Sequence, residues 1–304
     1  MLVEKDIDII DILSSKPFTF SAELVPPRNG LPIKSLFAKV EELSKAEIDF
    51  ISITRGAGGS LRGGTIPIAF LIKEKFDIPV IAHFTCMEST SQEIENNLLD
   101  HSYLGITNIL ALRGDPSTGI NQEYIASDKQ HQYAHQLIEQ INELKQGKYI
   151  LRKNFDKDDS EHHDGEPLNF CIGAAAYPNS RSGAEHFAKK VEKGAVFGIT
   201  QMNYYPNIYA DFLKNLRSKG VDVPVLPGFR VITKPSQVNF IENVLQTPIT
   251  DEYKKIIQSE NKQKITNYII DLIEAFYNKG AKGVHFFVIN EAEIVRDIIN
   301  LVKR

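Results

Sequence analysis

Tryptophan is absent from the 304 residues, and cysteine (2) and methionine (3) are scarce. The aromatic volume of a core must therefore come from 17 Phe and 11 Tyr. Two cysteines, Cys86 and Cys171, each in an apolar strand-like run, cannot build a disulfide scaffold and point to a reducing, cytoplasmic setting. No apolar run approaches the ~20 residues that span a bilayer, so no membrane partner is expected. Residues 1–16 lack the basic start, apolar centre and cleavage site of a signal peptide. Lys and Arg are spread along a chain of net charge −4, which argues against a nucleic-acid partner.

What is present is ordinary globular material, 42% hydrophobic and 24% charged, in one repeating pattern. A short β-branched or aromatic run is followed by a Gly/Pro/polar break and then a helical stretch. Strands are expected at 18–24, 50–54, 80–84, 108–112, 170–175, 198–202, 223–227 and 283–289. Several are apolar at nearly every position, as strands covered on both faces are. Helices are expected at 33–46, 66–75, 91–103, 132–145, 184–193, 208–219, 265–278 and 291–302. Gly105, Gly194, Gly220 and Gly280 suit left-handed helix C-caps. Eight such alternations in this length predict an α/β fold, one (β/α)8 TIM barrel over residues 1–304 with short extra helices and loop excursions. An open doubly wound sheet is the alternative. Residues 152–167 read as a solvated excursion, and 247–263 as an extra helix.

A barrel builds its active site from strand C-termini and the loops that follow them. Those positions hold Glu23, Thr54-Arg55, His83, Arg113-Gly114-Asp115, Tyr177, Gln201, Arg230 and Asn290. A lone carboxylate at a strand end is ordinarily solvated, but Glu23 sits in FTFSAELVPPR, where desolvation would raise its pKa. Such a group can donate a proton near neutrality. Gly56-Ala57-Gly58-Gly59 is a flexible loop or a backbone cradle for a phosphate or flavin edge, and is no G-x-G-x-x-G motif. His131 and His135, four apart on an expected helix, lack a further ligand, so no metal is expected. His162-His163-Asp164 reads as solvated, and Cys86 as a small buried hydrophobe.

The stretches FSAELVPPR (20–28), ISITRGAGGS (51–60), IAHFTC (81–86), NILALRGDP (108–116), IGAAAYP (172–178), GITQMNY (198–204), VLPGF (225–229) and GVHFFVIN (283–290) together resemble the methylenetetrahydrofolate reductases. The resemblance implies non-covalent FAD and a ping-pong reaction. In it NADH or NADPH reduces the flavin, which then reduces 5,10-methylenetetrahydrofolate to 5-methyltetrahydrofolate. It assigns Glu23 as the proton donor to folate N10, Asp115 as the charge beside the iminium and the flavin pyrimidine edge, and Gln201 as the pterin ligand. FAD contacts carry over to Thr54, Arg55, Ala57, His83, Arg113, Gly114, Asp115, Ala126, Tyr177, His186, Lys189 and Lys190, and a folate contact to Gln237.

Relatives often carry Tyr at the position of Arg55, a longer loop with a His-x-Glu-Ala element after Tyr177-Pro178, an acid at Gly183, and Arg at Glu291. The last would contact folate, so folate binding on that side must differ. Two other readings are a flavin-free folate reductase and a non-catalytic folate- or flavin-binding component. Glu23, Asp115 and Gln201 together count against the latter, because a binder needs no proton donor. The partners expected are the folate substrate, the nicotinamide cofactor and, compatibly, further copies of the chain.

Overall fold

The computed structural model describes residues 4–56, 62–115, 130–151 and 162–303. The expected flavin contacts Ala57 and Ala126, and the glycine loop at 58–60, lie outside these residues. In chain order the strands are β1 (Thr19–Leu24), β2 (Phe50–Ile53), β3 (Val80–Thr85), β4 (Asn108–Leu112), the short β5 (Lys148–Ile150) and β6 (His162–Asp164), β7 (Cys171–Ala176), β8 (Phe197–Met202), β9 (Val225–Phe229) and β10 (Gly283–Val288). All but β5 and β6 form a closed barrel in the order β1-β10-β9-β8-β7-β4-β3-β2, so the expected TIM barrel is observed. First and last strands meet in a parallel register of six residue pairs, from Thr19↔Gly283 to Leu24↔Val288. The seam is tight: a Cβ on Gly283 would lie 2.0 Å from Thr19 Oγ1.

The helices are α1 (Ile9–Ser15), α2 (Lys34–Ser44), α3 (Thr65–Phe76), α4 (Ser91–Tyr103), α5 (Ala134–Lys145), α6 (Gly183–Glu192), α7 (Pro206–Ser218), α8 (Pro235–Asn243), α9 (Asp251–Gln258), α10 (Lys262–Asn278) and α11 (Ala292–Val302). Local chemistry sets their ends. Thr90 Oγ1 accepts from Glu93 N while a Glu93 carboxylate oxygen accepts from Thr90 N, a reciprocal cap on α4. Gly105, Gly194, Gly220 and Gly280 all have positive φ, as their C-cap role requires. The extra helix expected within 247–263 is α9.

The structure revises two expectations. The excursion at 152–167 is not wholly irregular: β6 pairs antiparallel with β5, and residues 152–161 between them are outside the described set. His163 stacks on Tyr149 with ring centres 5.4 Å apart, an aromatic contact that steadies this hairpin. His131 lies ahead of α5 and pairs with Gln140 at 2.7 Å, so it shares no helical face with His135. No group of three or more metal-capable side chains occurs among the described residues.

The sequence reading also passed over α1, which closes the amino end of the barrel. Its Ile9, Ile12 and Leu13 pack on Phe50, Ile81, Leu110, Cys171, Phe197, Ile199 and Leu226 from the strands. Asn108 Oδ1 accepts from Ile9 N and Asn108 Nδ2 donates to Ile7 O, both at 2.9 Å. Asp6 Oδ2 accepts from Val80 N at 2.8 Å. The lower barrel interior is therefore filled by apolar side chains. No helix among the described residues is long and apolar enough to cross a membrane.

Candidate active site

Side chains alternate along a strand, so Ser52 and His83 stand one step above Phe50 and Ile81 on the inward face. There they meet Ser21 and Glu23 of β1 and His285 of β10. Ser21 Oγ lies 2.8 Å from His285 Nδ1, and His285 Nε2 lies 3.3 Å from Ser52 Oγ. Ser52 Oγ is 3.3 Å from His83 Nε2, which is 3.4 Å from Glu23 Oε2. Five polar side chains from four strands thus form one contiguous layer above the apolar floor.

Burial pushes the Glu23 carboxyl up to about 8 and His83 down to about 3. Burial, and secondarily the neighbouring His83, takes His285 to about 3 as well. The Glu23–His83 contact at neutral pH is therefore a protonated acid against a neutral imidazole, not an ion pair. A carboxylic acid that keeps its proton at pH 7 beside a strand terminus is equipped for general acid catalysis.

The other expected residues divide between this mouth and its surroundings. Thr54, directly above Ser52, is buried, and its Oγ1 has no partner among the described residues. Beyond β4, Arg113 and Asp115 are exposed and Gly114 has φ of 91°; a Cβ there would press on Thr85 Cβ at 3.0 Å. Tyr177, past β7, has its phenol raised by burial first and by the Asp115 charge second, with Arg113 opposing, so the two strand ends face each other. The register of β8 against β9 shifts between Ile199 and Met202, and Gln201 emerges exposed, its Oε1 accepting from Met202 N at 2.9 Å. Such bulges re-aim side chains beside active sites.

Lys190 Nζ donates to Ala175 O at 2.8 Å and stands 5.3 Å from the centre of the Tyr177 ring. Burial lowers its pKa to about 8. His186 and Lys189, on the same helix, are exposed. Gly183 opens α6 because space demands it: a Cβ would fall 2.0 Å from Tyr177 O. The short turn 179–182 therefore excludes an acidic side chain at 183. Arg55 is not drawn into the polar layer; its guanidinium lies 4.8 Å over Phe84, whose ring packs between barrel and helices. Gln237, in the first turn of α8, bonds Glu291 on the β9–β10 side of the mouth. Cys86 is buried, its thiol raised to about 11 chiefly by burial, so it is an inert small hydrophobe.

Ser21, Ser52 and His285 were not singled out from the sequence. Their signal is a polar residue at an inward position of an otherwise apolar strand, FSAEL, FISI and GVHFF. It becomes readable once the inward parity of each strand is known.

A family model described as methylenetetrahydrofolate reductase matches residues 8–303. The 5,10-methylenetetrahydrofolate reductase of Escherichia coli is 25% identical over 287 residues, 90% of this chain and 87% of that one. Methylenetetrahydrofolate reductase 1 of Schizosaccharomyces pombe is 25% identical over 300 residues, which are 92% of this chain. The match takes in 45% of that longer protein, so the chain spans about half of it. Among solved structures, a Clostridium thermocellum protein that binds two copies of 5-methyl-5,6,7,8-tetrahydrofolic acid superposes with a TM-score of 0.61 at 14% identity. The overlap covers 98% of this chain and 99% of that one. An F420-dependent secondary alcohol dehydrogenase superposes at 0.60 and 11% identity, covering 94% and 99%. At these identities the two structures speak for the fold alone.

Proposed function

The chain belongs to the methylenetetrahydrofolate reductase family, and from that premise we propose that it reduces 5,10-methylenetetrahydrofolate to 5-methyltetrahydrofolate with FAD and a reduced nicotinamide cofactor. The observation that carries the reading is Glu23, a half-buried carboxyl against His83 that is held protonated near neutrality at the polar end of the barrel. Opening the folate methylene bridge breaks the bond to N10, and N10 must take a proton as it leaves. Glu23 supplies that proton, and the reaction leaves its carboxylate next to His83 and the Ser52–His285–Ser21 chain. The opened form is an N5-iminium cation, and Asp115 at the rim supplies the opposite charge. Gln201, turned out by the irregularity in β8, offers an amide to the pterin.

The residues present fit a flavin at its ring end. Thr54 Oγ1 is a buried polar atom without a partner among the described residues, and the Arg113–Asp115 turn faces Tyr177 across the mouth. FAD, when bound, would supply two-electron hydride transfer between the two substrates. Toward its phosphates the chain offers His186, Lys189 and Lys190 of α6. A cytoplasmic location accords with two free, buried cysteines. The test is spectroscopic and then kinetic. The native protein should show flavin absorption, bleach anaerobically with NADH or NADPH, and regain colour on adding methylenetetrahydrofolate. A colourless protein that still consumes both substrates would replace this reading with flavin-free direct hydride transfer.

A further inference from the structure

Arg230 follows β9 and Glu291 follows β10, neighbouring strands in the barrel, so both stand at its carboxyl end. Both are buried, at 7% and 5% exposure. Arg230 Nη2 and Nε donate to Glu291 Oε1 at 2.5 and 3.2 Å. Gln237 Nε2 donates to the same oxygen at 2.9 Å. Glu291 Oε2 accepts from the backbone N–H groups of Ile289 at 2.9 Å and Asn290 at 2.8 Å. These bonds occupy the lone-pair directions of a carboxylate. Burial alone would lift this acid; Arg230 and the two backbone amides outweigh it, and Glu291 is held below its ordinary value. Glu291 is thus ionised and saturated, and Arg230 is charge-matched.

What remains open is the amide of Gln237. Its Oε1 accepts from Thr233 N at 2.9 Å and Lys234 N at 3.0 Å, which caps the start of α8. With the oxygen committed to those donors and the nitrogen to Glu291, the amide cannot be flipped. One of its two N–H groups is committed, and the other has no acceptor among the described residues. Gln237 is only half-buried, so that second proton can meet a ligand.

We propose that Glu291 is a positioning residue for substrate: it fixes the Gln237 amide so that the uncommitted N–H is presented to a folate oxygen or ring nitrogen at the β9–β10 side of the mouth. The proposal rests on the folate reading of that mouth. On this side the substrate meets a neutral donor, because the guanidinium of Arg230 is already neutralised.

The experiment is a double-mutant cycle of Glu291→Gln and Gln237→Leu, with melting temperature recorded throughout. Each single variant should raise KM for methylenetetrahydrofolate about tenfold, the worth of one hydrogen bond, while kcat falls by less. The double variant should show no further rise, because Glu291 acts through Gln237. Rises that multiply would overturn the proposal. The paired variant Arg230→Leu/Glu291→Leu removes both buried charges together and should keep the melting temperature but not KM, since leucine cannot accept from Gln237; retention of both overturns the proposal as well. A third readout needs no turnover. The side-chain amide signals of Gln237, identified by their loss in Gln237→Leu, should be two distinct protons that shift toward free-amide values in Glu291→Gln. Signals indifferent to that change sink the positioning role. If the native enzyme fails to reduce methylenetetrahydrofolate at all, the folate reading falls, and the amide signals still decide whether Glu291 holds Gln237.

Discussion

Glu23 carries the chemistry proposed for this chain in one proton. Glu23→Gln should leave reduction by the nicotinamide cofactor intact and cut folate reduction about 10²–10⁴-fold, the usual worth of a general acid. Stopped-flow of the two half-reactions separates the outcomes, and an equal loss in both removes the assignment. The pKa near 8 fixes the pH behaviour. Folate reduction should decline above about pH 8 as the acid empties. Stability is linked with a definite sign: between 4.5, the ordinary value, and about 8 the native state keeps a proton that the unfolded chain has lost. Stability therefore falls as pH rises through that window, and melting temperatures of Glu23→Gln should lack this part of the slope. Asp115→Asn should slow the folate half-reaction, because the iminium loses its counter-charge, and should raise the potential of bound flavin. Both quantities unchanged would dismiss Asp115. At this scale the sequence was partly legible. Glu23 stood out because its neighbours are apolar, a local fact. Ser52, His83 and His285 form one layer only through strand parity and closure, which no local window contains. Glu291 stands where the family resemblance implies Arg, but that it turns inward to Arg230 depends on two strands brought together from 61 residues apart.

Among the elements, α1 has the clearest separable role. It joins the barrel through three apolar side chains and the two-way hydrogen bonding of Asn108. Ile9→Ala should cost about 2–5 kcal/mol, as buried large-to-small changes do, and lower the melting temperature. KM for both substrates should stay as it was, since α1 lies at the end opposite to Glu23. A raised KM without loss of stability would show that the two ends communicate. Seven residues are too few for helical periodicity to speak, so α1 was not read from the sequence. The pair β5 and β6 was hidden for a different reason, a charged composition that reads as loop whether or not its ends pair. The long helices and barrel strands were legible because two-sided burial and glycine caps are local signals.

At the scale of the whole molecule, the turn at 179–182 bears on how the proposed dinucleotide would be held. Gly183 leaves no room for a side chain, and the groups proposed for the phosphate side are the exposed His186 and Lys189 with the half-buried Lys190. Exposed ionic contacts are screened over about 10 Å at 0.1 M salt. FAD affinity, followed by fluorescence, should weaken across a salt series, and Lys190→Ala should weaken it further without changing how the remaining flavin reacts. An affinity indifferent to both places the anchor elsewhere. The architecture itself was legible, because eight strand–helix alternations leave few alternatives; which loops carry chemistry was not, because loop length alone does not say what a loop meets. The seam between β1 and β10 has a consequence in the order of synthesis. Ser21 and His285, 2.8 Å apart, are separated by 264 positions along the chain. A growing chain that has not yet made Gly283–Val288 therefore has its acid without the imidazole beneath it, and β1 is left with one free edge. The polar layer is therefore completed only when the last strand of the barrel has been made.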